Sequence, residues 1–221
     1  MELRASSLPT APSAALLASP VIAVLRAKRA QDYFPVVEVL AATGVRSIEL
    51  TLSTPGTIDL LSHLRSVVPR EVDLGVGTIT DAAEAQEAID AGADFLVTPT
   101  MNIAVVELAL ARRIPIYPGG LTPTELFQGW AAGATAVKVF PAATVGADYL
   151  SHLRGPFPDI QVIPSGGVGV DDALEWLKAG ALAVSIGGPL IGDAFRGGSL
   201  TALEVRTRLV LDMLTMARSE I

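Results

Sequence analysis

Lys138 is the residue in this sequence whose surroundings most directly suggest chemistry. It lies in an apolar run that follows Gly133 and reads Ala-Thr-Ala-Val-Lys-Val-Phe-Pro, which is typical of a buried strand. An ammonium group buried without a partner loses its hydration, and this favours the neutral amine, a nucleophile toward carbonyl carbon. The alternative is structural, with the aliphatic stem packed inside and the charged end in solvent at the end of the strand.

Glu49 is a second charged residue inside a strand-like segment. In Ser47-Ile48-Glu49-Leu50-Thr51-Leu52-Ser53 the polar and apolar residues alternate, so the two sets point to opposite faces of a sheet. If the apolar set faces covering helices, Glu49 points to the interior, as Lys138 and Phe140 do in their own strand. The two charged residues could form a buried ion pair without a chemical role. We favour the alternative, in which the carboxyl group moves protons for an amine nucleophile.

Two glycine turns could bind an anion. Pro164-Ser165-Gly166-Gly167 follows the seventh predicted strand, and Gly187-Gly188-Pro189 follows the eighth. Free backbone N–H groups at such turns point at phosphate groups, and glycine lets the backbone approach closely. One Gly-Gly pair is usually only a turn, but two pairs at these two positions favour a phosphate site.

Other polar residues near predicted strand ends could have either a functional or a structural role. Arg26 ends the first strand and could pair with a substrate carboxylate or form a salt bridge at the rim. Thr78, in Gly-Val-Gly-Thr, could supply a hydroxyl donor, although most such threonines cap helices. His63 and His152 fall in predicted helices away from the strand ends, so no metal site is predicted.

A regular alternation of strands and helices would bring these residues together. The predicted strands cover residues 21–26, 47–52, 73–77, 94–98, 114–117, 135–140, 161–165 and 182–187. The predicted helices cover residues 13–18, 31–43, 57–67, 81–91, 103–113, 123–132, 147–154, 170–179 and 200–216. This alternation predicts an α/β fold of one domain over residues 1–221: a closed (β/α)8 TIM barrel with a short N-terminal helix before the first strand. A doubly wound open sheet is the alternative, but no Gly-x-Gly-x-x-Gly turn follows the first strand.

Residues at the predicted helix ends support these boundaries. Asp81 and Thr122 stand at two helix starts, each followed three residues later by a glutamate in capping-box spacing. Four glycines are predicted to terminate helices: Gly44, Gly92, Gly133 and Gly180.

Composition narrows the choice of partners. Of the 221 residues, 50% are hydrophobic, and 16 basic against 23 acidic residues give a net charge of −7. No tract rich in lysine and arginine is present, so neither nucleic acid nor an anionic membrane is expected as a partner. The chain has no cysteine, which excludes disulfides and thiolate sites. The apolar stretch at 14–25 could be taken for a signal peptide, but Pro20 splits it and its second half fits the first predicted strand. It is also too short for a membrane span, so we expect a soluble, cytoplasmic protein.

A series of short motifs links these residues to a known family. The motifs, in chain order from Val21 to about Phe195, are Ala23-Val24-Leu25-Arg26, Ile48-Glu49-Leu50-Thr51, Gly75-Val76-Gly77-Thr78, Val97-Thr98-Pro99, Pro118-Gly119-Gly120, Lys138-Val139-Phe140-Pro141, Gly155-Pro156-Phe157-Pro158, Pro164-Ser165-Gly166-Gly167 and Ile186-Gly187-Gly188. In this order and spacing the sequence closely resembles the class I aldolases of the KDPG/KHG aldolase family.

The resemblance implies a homotrimeric barrel enzyme that needs no metal or organic cofactor. It implies that Lys138 is the Schiff-base lysine and Glu49 the general acid/base. It also implies a pyruvate pocket lined by Thr78, Pro99 and Phe140, and a phosphate end formed by the two glycine turns (Ser165, Gly166, Gly167, Gly187 and Gly188).

The sequence departs from the family pattern at three positions. Many members carry an arginine four residues after the catalytic glutamate, where this chain has Ser53, so Arg26 is the expected partner of the substrate carboxylate. Ser165 replaces the usual threonine and keeps a hydroxyl. Pro189 stands where a serine often contacts phosphate, and proline offers neither a hydroxyl nor an N–H.

The expected reaction is cleavage of 2-keto-3-deoxy-6-phosphogluconate to pyruvate and glyceraldehyde 3-phosphate, or of 4-hydroxy-2-oxoglutarate to pyruvate and glyoxylate. Within the family, 2-keto-3-deoxy-6-phosphogalactonate or an unphosphorylated keto-deoxy acid is the alternative substrate. Outside it, a sugar-phosphate isomerase or epimerase and a non-catalytic sugar-acid binding barrel remain as alternatives. The expected partners are therefore a keto-deoxy sugar acid and two further copies of the chain.

Overall fold

A computed structural model describes residues 10–219, with side chains described for residues 10–216. The strands in this part of the chain are β1 (Val21–Leu25), β2 (Ser47–Thr51), β3 (Asp73–Gly77), β4 (Phe95–Val97), β5 (Ile116–Tyr117), β6 (Gly119–Gly120), β7 (Val137–Val139), β8 (Val162–Pro164) and β9 (Val184–Ile186). The helices are α1 (Ala14–Ala18), α2 (Tyr33–Thr43), α3 (Thr57–Val67), α4 (Ala82–Asp90), α5 (Ile103–Arg112), α6 (Pro123–Ala131), α7 (Asp148–Arg154), α8 (Val170–Lys178), α9 (Gly188–Ile191) and α10 (Leu200–Ser219). None of the described helices is long and apolar enough to cross a bilayer.

The predicted alternation of strands and helices is confirmed, because every predicted segment contains an observed element of the same type. One of the described strands and one of the described α-helices were not predicted. Strand β6 continues the fifth predicted strand beyond Pro118, through two glycines whose sequence is typical of a turn. Helix α9 begins at Gly188, inside a segment predicted only as a glycine turn.

All the strands pair in parallel, in a six-stranded sheet of order β5-β4-β3-β2-β1-β9 and a three-stranded sheet of order β6-β7-β8. Backbone contacts connect the two sheets at both edges. At one edge the Thr135 N–H donates to the Ile116 carbonyl oxygen at 3.2 Å. At the other edge Ser165 forms a parallel bridge to Ser185. The parallel strands therefore curl around a common interior.

Apolar side chains form one cluster on each face of the curled strands. The larger cluster lies between strands and helices and includes Ile48, Leu50 and Val137. The inner cluster consists of Leu16, Ile22, Phe95, Val97, Tyr117, Ala136, Ile163 and Ala183. The predicted orientation of β2 and β7 is thus confirmed, with Ile48 and Val137 toward the helices and Ala136 toward the interior. The inner cluster forms an apolar floor beneath the carboxyl ends of the strands.

Helix α1 covers the amino-terminal ends of the strands, and the short helix predicted there is confirmed. Its Leu16 enters the inner cluster, and the Ser13 hydroxyl donates to the Asp73 carboxylate at the start of β3. Burial raises the pKa of Asp73 above its ordinary value. Burial also raises the pKa of Tyr117, and the nearby charge of Asp73 adds to this effect. This end of the interior is therefore closed and poorly hydrated.

The helix ends follow the sequence signals with one exception. The four predicted terminating glycines all have a positive φ, between 94° and 113°. Thr122 and Glu125 form the complete capping box at the start of α6. Asp81 caps α4 through the N–H groups of residues 83 and 84, but the expected reciprocal bond is absent because Glu84 instead accepts from the Thr80 N–H. The capping box predicted at α4 is therefore wrong in this detail.

Candidate active site

A cavity of about 680 Å³ opens at the carboxyl ends of the strands, above the inner cluster. Every residue predicted for the site lines it: Arg26, Glu49, Thr78, Pro99, Lys138, Phe140, Ser165, Gly166, Gly167, Gly187 and Gly188. These residues come from strands and loops that are distant in the sequence. Parallel pairing brings them together because it places all carboxyl ends at the same edge.

Lys138 lies at the centre of β7 and is 7% exposed. Its backbone is fixed on both sides, by pairing with Gly119 of β6 and with Ile163 of β8. Its Nζ lies 5.1 Å from the centroid of the Phe140 ring. Within residues 10–219 the amine forms neither an ion pair nor a hydrogen bond. The amine is thus held in the cavity with its lone pair or its protons available to a ligand.

Glu49 enters the same cavity from β2 and is 1% exposed. Its Oε2 is buried and has no hydrogen-bond partner among the described residues. The buried ion pair with Lys138 that the sequence left open is not formed. An unpaired buried carboxylate oxygen carries a large desolvation penalty, which is typical of a group kept for a ligand, a water or a proton.

Gly77 makes the space that the Glu49 carboxyl group occupies. A Cβ on Gly77 would overlap the carboxyl atoms of Glu49, and a Cβ on Gly75 would overlap the Phe95 ring. Glycine is therefore required at both positions of β3 by the side chains that pack over them. Gly77 is a supporting residue that sequence reasoning quoted in a motif without assigning it a role.

Thr78 follows directly after β3 and has φ of 64°. A β-branched residue with positive φ is a genuine outlier of backbone geometry, and such outliers cluster at functional sites. The alternative role as a helix cap does not apply, because the N-cap of α4 is Asp81. Thr78 thus presents its side chain to the cavity mouth at the expense of backbone strain.

The two glycine turns form one wall of the cavity. Gly166 and Gly167 have φ of 84° and 76°, and a Cβ on Gly166 would lie 2.8 Å from the Phe140 ring. In the described part of the chain, the backbone N–H groups of Gly166, Gly167, Gly187 and Gly188 donate to no other group. Such unpaired donors in a concave wall are suited to an anion.

A pair of serines lies where the last two strands meet. The Ser165 hydroxyl donates to the Ser185 hydroxyl at 3.2 Å, and both residues line the cavity. Ser165 is 5% exposed, so its orientation is set by this contact rather than by solvent. Ser185 was not predicted as a site residue, although its position between two buried apolar residues of β9 was a readable signal.

Cations dominate the charge of the cavity lining. Arg26, Lys28, Lys138 and Arg196 line it, and Glu49 is the only acidic residue among the lining residues. None of the four cations forms an ion pair within residues 10–219. In a chain with a net charge of −7, this local excess favours an anionic ligand. Sequence reasoning missed Lys28 and Arg196, because neither lies in a predicted strand or helix or in one of the motifs.

The histidines do not contribute to the cavity. His63 lies in α3 with its ring against Phe34, and His152 lies in α7. Across the described residues, no group of three or more histidine, cysteine or acidic side chains is arranged to hold a metal ion. The polar groups that line the cavity are instead two amines, two guanidinium groups, one carboxylate, hydroxyls and backbone N–H groups.

Comparisons with known proteins agree with this arrangement. A family model described as "KDPG and KHG aldolase" matches residues 13–201. The chain is 35% identical over 160 residues to a 2-dehydro-3-deoxy-phosphogluconate aldolase of Pseudoalteromonas atlantica, covering 72% of this chain and 74% of that one. It is 30% identical over 192 residues to the KHG/KDPG aldolase of Escherichia coli K12, covering 86% and 89%.

A solved structure is similar over almost the whole chain. KDPG aldolase from Legionella pneumophila, described with pyruvate captured as a covalent carbinolamine intermediate, matches with a TM-score of 0.80 and 29% identity. The match covers 90% of this chain and 96% of that one. The part of the chain that the family model matches, residues 13–201, includes the strands that carry Lys138 and Glu49. The chain therefore belongs to the KDPG and KHG aldolase family.

Proposed function

We propose that the protein is a class I aldolase, a carbon–carbon lyase, that cleaves 2-keto-3-deoxy-6-phosphogluconate to pyruvate and glyceraldehyde 3-phosphate. Cleavage of 4-hydroxy-2-oxoglutarate to pyruvate and glyoxylate is the second reaction. The observation that carries the proposal is the presence of an unpaired lysine and an unpaired carboxylate in one cavity, Lys138 and Glu49. An imine mechanism requires an amine and a carboxylate that are not tied up in an ion pair with each other.

Lys138 acts as the nucleophile. Its neutral amine attacks the C2 ketone, and loss of water from the carbinolamine gives an iminium ion. The iminium withdraws electrons, so the C3–C4 bond breaks to leave an enamine while the aldehyde departs. Protonation at C3 and hydrolysis of the imine then release pyruvate and restore the amine. The inner cluster forms the apolar floor of the cavity in which this chemistry takes place.

Glu49 acts as the general acid and base. It accepts the proton of the C4 hydroxyl, directly or through a water, as the C3–C4 bond breaks, and it later returns a proton to C3. Its Oε2 has no competing partner within the described chain, so the carboxylate is available for both transfers. The space over Gly77 fixes the position of the carboxyl group relative to the cavity.

The remaining cavity residues orient the substrate. Arg26 pairs with the C1 carboxylate, and Thr78, Pro99 and Phe140 surround the pyruvate moiety. The phosphate end is formed by the free N–H groups of the glycine turns, beside the Ser165 hydroxyl; the residues concerned are Gly166, Gly167, Gly187 and Gly188. In this proposal the carboxylate and the phosphate of the substrate are both bound by donors that line one cavity.

The assembly around this site is also a proposal. We infer that the two sheets form a single closed (β/α)8 barrel, in which β5 and β6 together act as the fifth strand. This inference is supported by the contacts at both sheet edges. Three such barrels form a homotrimer in the cytoplasm. The imine itself serves as the electron sink, so the reaction needs neither a metal nor an organic cofactor.

Turnover by a lysine variant tests the proposal. Pyruvate release from each of the two substrates is followed in a coupled assay for the unsubstituted protein and for Lys138→Arg. Arginine keeps the positive charge but cannot form an imine, so we expect no turnover by the variant. Turnover that survives the substitution would instead indicate an isomerase or epimerase in which the lysine is only an electrostatic partner. Lys178→Arg, on α8 outside the cavity lining, is the matched control and should retain activity.

A further inference from the structure

The phosphate end of the cavity lacks one side-chain donor, and the cation Arg196 close by in the chain has no role assigned to it. Pro189 offers no hydroxyl and no N–H at the second glycine turn. Arg196 ends a short 3-10 helix (Ala194–Arg196) that follows α9, and it lines the same cavity. We propose that Arg196 is a specificity-determining residue that binds the terminal phosphate of the substrate. This inference rests on the proposed aldolase function and adds the side chain that selects a phosphorylated keto acid.

The guanidinium group of Arg196 is held in place but mostly unused. Its Nη2 donates to the Gly192 carbonyl oxygen at 3.3 Å. No other hydrogen bond and no ion pair from this side chain occurs within the described residues. A guanidinium group has five N–H donors in a planar fork that matches phosphate oxygens. The remaining donors are therefore available to a bidentate contact.

The segment that carries Arg196 is fixed to the rest of the fold. Arg206 of α10 donates from Nε to the Leu190 carbonyl at 2.5 Å and from Nη2 to the Ile191 carbonyl at 2.9 Å. The ring of Phe195 packs edge-on against Tyr33 with a centroid distance of 5.9 Å. These contacts hold both ends of the short segment between α9 and Arg196. A cation on a fixed segment adds selectivity because less side-chain and loop entropy is lost on binding.

Three of the cations that line the cavity follow two neighbouring strands. Arg26 and Lys28 follow β1, and Arg196 follows β9 and the Gly187–Gly188 turn. Of these cations, Arg196 is the one that shares its segment of the chain with the second glycine turn. Four neutral backbone N–H groups alone do not neutralise a phosphate dianion, and a guanidinium group can contribute a charge-assisted hydrogen bond. Arg196 therefore replaces the donor that Pro189 removes.

Paired substrates test this inference. We would compare kcat/KM for 2-keto-3-deoxy-6-phosphogluconate and for unphosphorylated 2-keto-3-deoxygluconate, in the unsubstituted protein and in Arg196→Gln. The variant should lose about 10- to 100-fold in kcat/KM with the phosphorylated compound, the range for a lost hydrogen bond to a charged group. The loss should be mainly in KM, and the preference for the phosphorylated compound should fall by a similar factor. Arg196→Lys, which keeps the charge without the fork, should restore part of the preference.

Inorganic phosphate provides a second readout. As a competitive inhibitor of pyruvate release, it should bind more weakly to Arg196→Gln than to the unsubstituted protein, and raised ionic strength should reduce this difference. Arg208→Gln, which removes an exposed ion pair on α10, is the matched control and should leave the preference unchanged. An equal loss with both substrates, or no loss with either, overturns the role of Arg196 while the aldolase function stands. If the unsubstituted protein releases no pyruvate from either compound, both proposals are overturned.

Discussion

At the scale of single residues, the site depends on two charged side chains that share one cavity without pairing. Within the described residues the Glu49 Oε2 is buried without a hydrogen-bond partner, and Lys138 lines the same cavity without an ion pair. Buried groups left unsatisfied in this way are typical of sites whose partner is the substrate. The Glu49 carboxyl group has space in the cavity because Gly77 carries no side chain.

Gly77→Ala tests this dependence. A methyl group at this position overlaps the Glu49 carboxyl group, so the carboxyl group must move away from its place in the cavity. We expect kcat to fall by about 10- to 1,000-fold, part of the typical contribution of a positioned acid or base. The destabilisation should be limited to about 1–3 kcal/mol, the range for overpacking. Steady-state kinetics and chemical denaturation measure the two effects.

A second glycine provides the control for that substitution. Gly155 has φ of −53°, and the nearest atom to its Cβ position is the His152 carbonyl oxygen at 3.4 Å. Gly155→Ala should therefore leave kcat unchanged. If Gly77→Ala keeps full activity while the Glu49 carboxylate remains essential, the glycine does not position the carboxyl group.

At the scale of elements, much of the arrangement could be predicted because local signals and burial agree. In β2 the alternation of Ile48 and Leu50 with Glu49 fixed which residue points inward. The sequence pattern failed to predict the structure where a residue's contacts come from distant parts of the chain. Gly119 pairs in β6 although its sequence is typical of a turn, and Arg196 reaches the cavity only because α10 fixes the preceding segment. Such tertiary contacts are absent from any local pattern.

The capping box of α6 gives a prediction at this scale. Hydrogen bonds from Thr122 and Leu121 hold the pKa of Glu125 below its ordinary value of 4.5. A carboxyl group with a lowered pKa in the folded state contributes stability that is present above pH 4.5 and is lost as the pH falls through its folded pKa. Thr122→Ala removes the bond from the Thr122 hydroxyl to the Glu125 carboxylate and the bond that this hydroxyl accepts from the Glu125 N–H, and it should cost about 1 kcal/mol at pH 7. The cost should shrink at a pH below the folded pKa of Glu125.

Chemical denaturation at pH 7 and at acidic pH measures this difference. Thr144→Ala is a suitable control, because its exposed hydroxyl donates only to the Pro141 carbonyl oxygen and contacts no carboxylate. Its effect should not depend on pH in this range. A constant cost of Thr122→Ala across the range would mean that the Glu125 carboxylate does not contribute to the capping of α6.

At the scale of the whole molecule, the surface combines a net negative charge with exposed apolar side chains. The Phe127 side chain is 41% exposed, and its ring stacks on that of Phe157 with a centroid distance of 4.4 Å. On α10, Val205 and Leu209 are each more than half exposed. Exposed apolar groups of this size favour association with other chains. Light scattering on the purified protein should give three times the chain mass, as the homotrimer proposal requires, and the mass of a single chain would contradict it.

The central claim is that one amine forms a covalent bond with a keto acid, and borohydride reduction in the presence of pyruvate tests it most directly. The chain has three lysines, Lys28, Lys138 and Lys178, of which the first two line the cavity. Intact-mass spectrometry and peptide mapping should find one reduced pyruvyl adduct per chain, on the peptide that contains Lys138, and none in Lys138→Arg. No adduct, or an adduct on Lys28 that persists in Lys138→Arg, would contradict the account.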